Sequence, residues 1–208
     1  MAGYATDAWR RTQRLATDAS TPEYVRECAL HQGNFNDVRH LWPAELRSLL
    51  AKAEASGKPV TLVDVRTPEE AAVSTIPGAV MAKDFGDDTI VNGPLVCFCT
   101  VGYRSSLEAR RIATTPSVRA RCRGGIFSMA GILAWAHEAG ELVDPASGKA
   151  TTRLHCFGSK WEAMAPPSCD TVVFSTPVLG VKLVPVVLKV VREYLRWLLA
   201  RLYLLPSR

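Results

Sequence analysis

Apolar and polar positions fall in short alternating blocks through the middle of the chain. Pro94-Leu95-Val96-Cys97-Phe98 is a continuous apolar run bounded by Asn92-Gly93, the pattern of a parallel-sheet strand covered on both faces. Val60 to Arg66 is rich in β-branched residues and reads as another strand. Thr67-Pro68-Glu69-Glu70 then supplies an N-cap, a proline at the first helical position and a glutamate three past the cap. Ile76-Pro77-Gly78-Ala79-Val80 is a turn entering a strand, and Gly125 to Met129 reads as a last strand. Asn34 to Arg39 is expected as the first edge strand, followed by a helix from Trp42 to Ala55 with apolar positions at Leu46, Leu49 and Leu50. Strands alternating with helices predict an α/β fold with a doubly wound parallel sheet. Ligands of such sheets sit beyond the carboxyl ends of the strands.

Cys99-Thr100-Val101-Gly102-Tyr103-Arg104 lies at one of those ends. Ser105-Ser106-Leu107-Glu108 has the spacing of a capping box, so Ser105 is expected to open the next helix. The loop before it closes at the positive end of a helix dipole, where free amides can converge on an anion. Gly102 permits a positive φ, and Arg104 adds a fixed positive charge. Such a setting favours a thiolate and makes Cys99 a candidate nucleophile. The four histidines, His31, His40, His137 and His155, are all distant in sequence, so a Cys–His protease arrangement has little support.

The loop resembles the active-site loop of rhodanese-like sulfurtransferases: cysteine, four residues, arginine. Related cell-cycle dual-specificity phosphatases have a loop one residue longer, sized for phosphate. Two further segments carry the resemblance. Asp64-Val65-Arg66 through Ile76-Pro77-Gly78-Ala79 resembles the first rhodanese signature, with Thr75 where the family usually has histidine. Ala130-Gly131-Ile132-Leu133-Ala134-Trp135 resembles the opening of the domain's closing helix, with Ala130 replacing a glycine. The likeness covers residues 34–145. It implies that Cys99 carries sulfur as a persulfide, taken from a small anionic donor such as thiosulfate and passed to cyanide or a thiol. It further implies that Thr100, Val101, Gly102, Tyr103, Arg104 and Ser105 form the binding loop. Asp64 and Arg66 are then structural, tying loops beneath the site, and neither a metal nor another cofactor is called for. A different reading is a sulfur-relay or adaptor module acting on a protein partner.

Composition sets the outer bounds. The 208 residues suffice for one domain with extensions: residues 1–33, a domain at 34–145, an irregular linker at 146–180 and a basic amphipathic helix at 181–208. Residues 1–33 mix Arg10, Arg11 and Arg14 with Asp7 and Asp18 and contain no apolar core of a signal peptide. Six cysteines (Cys28, Cys97, Cys99, Cys122, Cys156, Cys169) without regular spacing suit reduced thiols in the cytoplasm or an organelle matrix. Cys97 reads either as a strand residue or as a resolving thiol. Cys156 and Cys169 read as exposed thiols in a loop-like segment.

The formal charge of +5 belongs entirely to the tail, where Lys182, Lys189, Arg192, Arg196, Arg201 and Arg208 face Glu193 alone. The domain therefore carries no basic groove for nucleic acid. Residues 186–205 gather Lys189, Arg192, Glu193 and Arg196 on one helical face, with apolar and aromatic residues elsewhere. Such a helix suits a peripheral membrane surface or a protein partner. Its charges argue against spanning a bilayer.

Overall fold

A computed structural model describes residues 2–86 and 89–174, with residues 188, 191 and 192 of the tail. Met1–Val173 forms one compact unit and Phe174–Arg208 another. Residues 188, 191 and 192 are helical; the rest of the expected basic helix, and residues 175–180 of the expected linker, lie outside the described residues.

The elements of the first unit run α1 (Ala2–Thr17), α2 (Glu23–Gly33), β1 (Arg39–Leu41), α3 (Pro43–Ala55), β2 (Thr61–Asp64), α4 (Pro68–Val73), β3 (Val80–Met81), β4 (Leu95–Phe98), α5 (Tyr103–Thr114), α6 (Pro116–Arg119), β5 (Ile126–Met129), α7 (Ile132–His137), β6 (Arg153–Cys156), α8 (Ser159–Ala163) and β7 (Asp170–Val173). Five strands form one parallel sheet in the order β1-β5-β4-β2-β3. The central strand β4 is buried at all four positions, which is why its sequence is uninterruptedly apolar. Its side chains divide between two cores. Val96 and Phe98 join Cys28 of α2, Leu46 of α3 and Leu133 of α7, whereas Leu95 and Cys97 join Ala109 and Ile112 of α5. Helices thus cover both faces of an α/β, doubly wound sheet.

The structure departs from the sequence expectations in some places and adds detail in others. The first edge strand is β1, Arg39–Leu41, rather than residues 34–39. Residues 34–38 turn instead: the Phe35 and Val38 amides donate to Gln32 and Phe35 carbonyls, which sends both apolar side chains into the core. The expected extension, residues 1–33, holds two helices. Cys28, Ala29 and Gln32 of α2 are buried, and Arg11 of α1 grips Glu45 of α3 through two bonds of 2.9 and 2.8 Å. Residues 146–173, expected to be irregular, contain β6, α8 and β7, with β6 and β7 paired in parallel as a second sheet. Its strands are only four residues long, too short to leave a periodic signal. Cys156 is consequently buried in β6, not an exposed thiol.

One glycine fixes how the end of β5 meets the end of β4. Gly131 has φ of +120°, and a Cβ there would stand 2.2 Å from the Thr100 carbonyl oxygen. The close approach lets the Ile132 and Leu133 amides, at the start of α7, donate to the Cys99 and Thr100 carbonyls at 2.8 and 3.2 Å. The Gly131→Ala variant meets both backbone strain and a clash with main chain that cannot step aside. Urea denaturation should show a loss of about 3 kcal/mol of stability.

Candidate active site

The strand-to-helix connection after β4 coils around the Cys99 sulfur. Gly102 takes φ of +95° and is itself the N-cap of α5. The helix therefore starts at Tyr103, and the predicted capping box at Ser105 and Glu108 does not form. Glu108 instead bonds Arg111 on its own helix at 2.9 Å. This earlier start has a chemical consequence. The Gly102 N–H donates to Cys99 Sγ at 3.2 Å, and Ser105, now inside the first turn, places its hydroxyl 3.6 Å from the same sulfur. Ser128 of β5 donates to Ser105 Oγ at 2.9 Å, and Ser106 bonds the Gly102 carbonyl at 2.6 Å. These three serines are fully buried. Cys99 itself is only 1% exposed.

Arg104 does not point its charge at open solvent. Its guanidinium forms a two-pronged bond with Glu70 of α4, at 2.6 and 2.8 Å, and a longer one to Thr100 Oγ1 at 3.4 Å. Its Cζ also lies 5.8 Å from the centre of the ring of Phe157, just past β6. Glu70 is placed by the α4 capping box: its carboxylate accepts from the Thr67 amide at 2.8 Å while Thr67 Oγ1 accepts from the Glu70 amide. On its other side His155 of β6 brings Nδ1 to 3.4 Å from Glu70 Oε1. Asp64 and Arg66 form a buried pair at 2.6 Å, with Arg66 also donating to the Ser74 carbonyl. Thr75, at the position where the resembled family has histidine, donates to Asp64 Oδ2 at 3.0 Å. Val101 is buried, and Tyr103 packs edge-on against Phe35 and His31.

Glu70, Ser128 and His155 were not among the sequence-derived site residues. The capping-box position of Glu70 hid a second role for its carboxylate. His155 lies 51 residues beyond Arg104 in sequence, in a strand that the residue pattern did not reveal. Cys97 is buried in the core on the α5 side, and burial pushes its thiol well above the ordinary range. That state suits a strand residue rather than a resolving nucleophile. Among the described residues no group of histidine, cysteine and carboxylate side chains is arranged to hold a metal, and no helix is long and apolar enough to cross a membrane.

No family model matches this chain, and no curated protein is significantly similar to it. Solved structures do align with it. A thiosulfate sulfurtransferase from Pseudomonas aeruginosa shares 14% identity at a TM-score of 0.40, over 66% of this chain and 26% of that one. The chain thus spans about a quarter of that protein's length. A rhodanese-related protein from Thermoplasma volcanium shares 19% at 0.37, over 51% and 98%. A protein of unknown function from Rhodopseudomonas palustris, described as a possible tyrosine phosphatase, shares 22% at 0.38, over 59% and 96%.

The Glu70–Arg104–His155 group sets an acid limit on the fold. Burial opposes the Glu70 charge, but the bonds from Arg104 outweigh it and hold the carboxyl at about 2 against an ordinary 4.5. Its contribution is full above pH 4.5 and is lost as pH falls toward 2. Burial, against the pull of Glu70, brings His155 down to about 4 from 6.5. The unfolded chain therefore binds that proton first, and stability declines as pH drops from 6.5 to 4. Burial lowers His31 and His40 as well, and they add to the same decline. Urea midpoints should be flat above pH 7 and fall in two stages below it. His155→Asn should remove part of the upper stage. Glu70→Gln should remove the lower one, on the order of 3 kcal/mol, and weaken the fold at neutral pH by stranding Arg104.

Proposed function

We propose that this protein is a sulfurtransferase of the rhodanese type. The observation that carries the reading is the Cys99–Arg104 loop itself, in which a buried cysteine sulfur accepts from the Gly102 amide at the start of α5. The Cys99 thiolate would attack the outer sulfur of thiosulfate. A Cys99–sulfur bond forms, and the sulfur–sulfur bond of the donor breaks with its electron pair leaving on sulfite. Cyanide or a thiolate then takes the outer sulfur and returns the thiolate, a two-step covalent cycle. Helix-end amides suit a large, singly charged sulfur anion.

Phosphoryl-ester hydrolysis fits the site less well. It needs an acid to protonate the leaving oxygen. The carboxylates beside the loop, Asp64 and Glu70, are each locked to an arginine, and Glu70 stays ionised far below neutral pH. Sulfite needs no such proton. Incubation with thiosulfate followed by mass spectrometry should show the gain of one sulfur atom on Cys99, absent in Cys99→Ser, with thiocyanate formed on adding cyanide. An unmodified Cys99, or brisk hydrolysis of an aryl phosphate, would overturn the assignment.

A further inference from the structure

Helix α2 lays a polar group against the loop that nothing among the described residues satisfies. Gln32 is completely buried, yet neither its Nε2 nor its Oε1 has a hydrogen-bond partner. Its backbone is satisfied, since its carbonyl accepts from Phe35 at 2.9 Å. The stem of the side chain lies on the loop: a Cβ added to Gly102 would stand 2.9 Å from Gln32 Cγ. Gly102 is the residue whose amide already donates to the Cys99 sulfur. One turn earlier on α2, Cys28 is equally buried, and burial pushes its thiol up. The inner face of α2 therefore packs against the loop at Gly102, the residue that touches the sulfur.

A dry, unpaired carboxamide destabilises a fold, because both its polar atoms have given up water for nothing. Leucine would fill the same core position without that cost. The carboxamide makes sense when a charged atom, absent from the resting thiol, sits above Cys99. We propose that Gln32 is a binding residue of the Cys99 site, its N–H pair donating to the outer, negatively charged sulfur of the Cys99 persulfide. The proposal rests on the sulfurtransferase reading. A donor aimed at the outer sulfur stabilises the loaded state without touching the free thiolate. It therefore shifts the balance between thiosulfate plus free enzyme and sulfite plus persulfide.

Gln32→Leu tests this by setting stability against function. Loaded and free protein are quantified by mass at a fixed ratio of thiosulfate to sulfite, alongside urea denaturation of each. The Leu variant should unfold at higher urea than the parent, yet its loading constant should fall about tenfold, the worth of one charge-assisted hydrogen bond. Gln32→Glu, nearly isosteric but anionic, should load still less at neutral pH. Gln32→Met, of similar length, repeats the comparison should the Leu variant fail to fold. Loading constants of the Leu and Met variants equal to the parent's would overturn this inference alone. A parent that gains no sulfur would overturn it together with the sulfurtransferase reading.

Discussion

The two-pronged bond between Arg104 and Glu70 holds the site together. It joins three pieces of chain that are far apart in sequence: the loop after β4, the first turn of α4, and, through His155 and Phe157, the strand β6. The pair is nearly sealed, with Glu70 3% and Arg104 15% exposed at the side chain, so water screens it little. Its geometry is the planar match that guanidinium and carboxylate make best. Removing either partner leaves an uncompensated charge inside, which costs far more than the intact pair contributes. Segment 146–173 therefore has a structural connection to the loop, although nothing in its residue pattern advertises one.

What could be read from the sequence, and what could not, follows the range of the forces involved. The strands β2, β4 and β5, the start of α4 and the position of Cys99 at a strand end are written in local patterns: apolar runs, β-branched residues, a capping box. The parallel sheet and its two-sided cover follow from the alternation of elements, whereas the strand order β1-β5-β4-β2-β3 does not. Ser105 and Glu108 satisfy one local rule, the capping box, but the wrap of the loop around its own cysteine governs where α5 starts. The loop wraps the Cys99 sulfur, and Gly102 at positive φ ends that wrap three residues before the expected cap at Ser105. The buried pair of Asp64 and Arg66 has a spacing of two that sequence can suggest. The pair of Glu70 and Arg104 spans 34 residues, and no periodicity encodes it.

The same distinction explains α2. Its face of Cys28, Ala29 and Gln32 is short, and a glutamine in it breaks the apolar signature that marks a core helix. A polar residue that spoils the pattern of burial and is nonetheless buried is a local rule broken without a partner among the described residues. Sequences tend to break such rules where function has a claim on the position.

Charge accounting around the loop bears on what anion it can hold. Arg104, the one guanidinium of the loop, is already neutralised by Glu70, and Arg66 by Asp64. His155 is held neutral at physiological pH by burial. Among the described residues, what meets an anion at Cys99 is a set of dipoles: the Gly102 amide, the Ser105 hydroxyl, the first turn of α5 and, on the inference above, the Gln32 carboxamide. Dipoles of this kind suit one diffuse negative charge and pair poorly with a compact dianion, which calls for a free cation close by. A persulfide carries a single charge on a large, polarisable atom, and a phosphoryl group carries two on small oxygens. The neutralised arginine is consistent with the reading proposed above, in which the loop holds a singly charged persulfide.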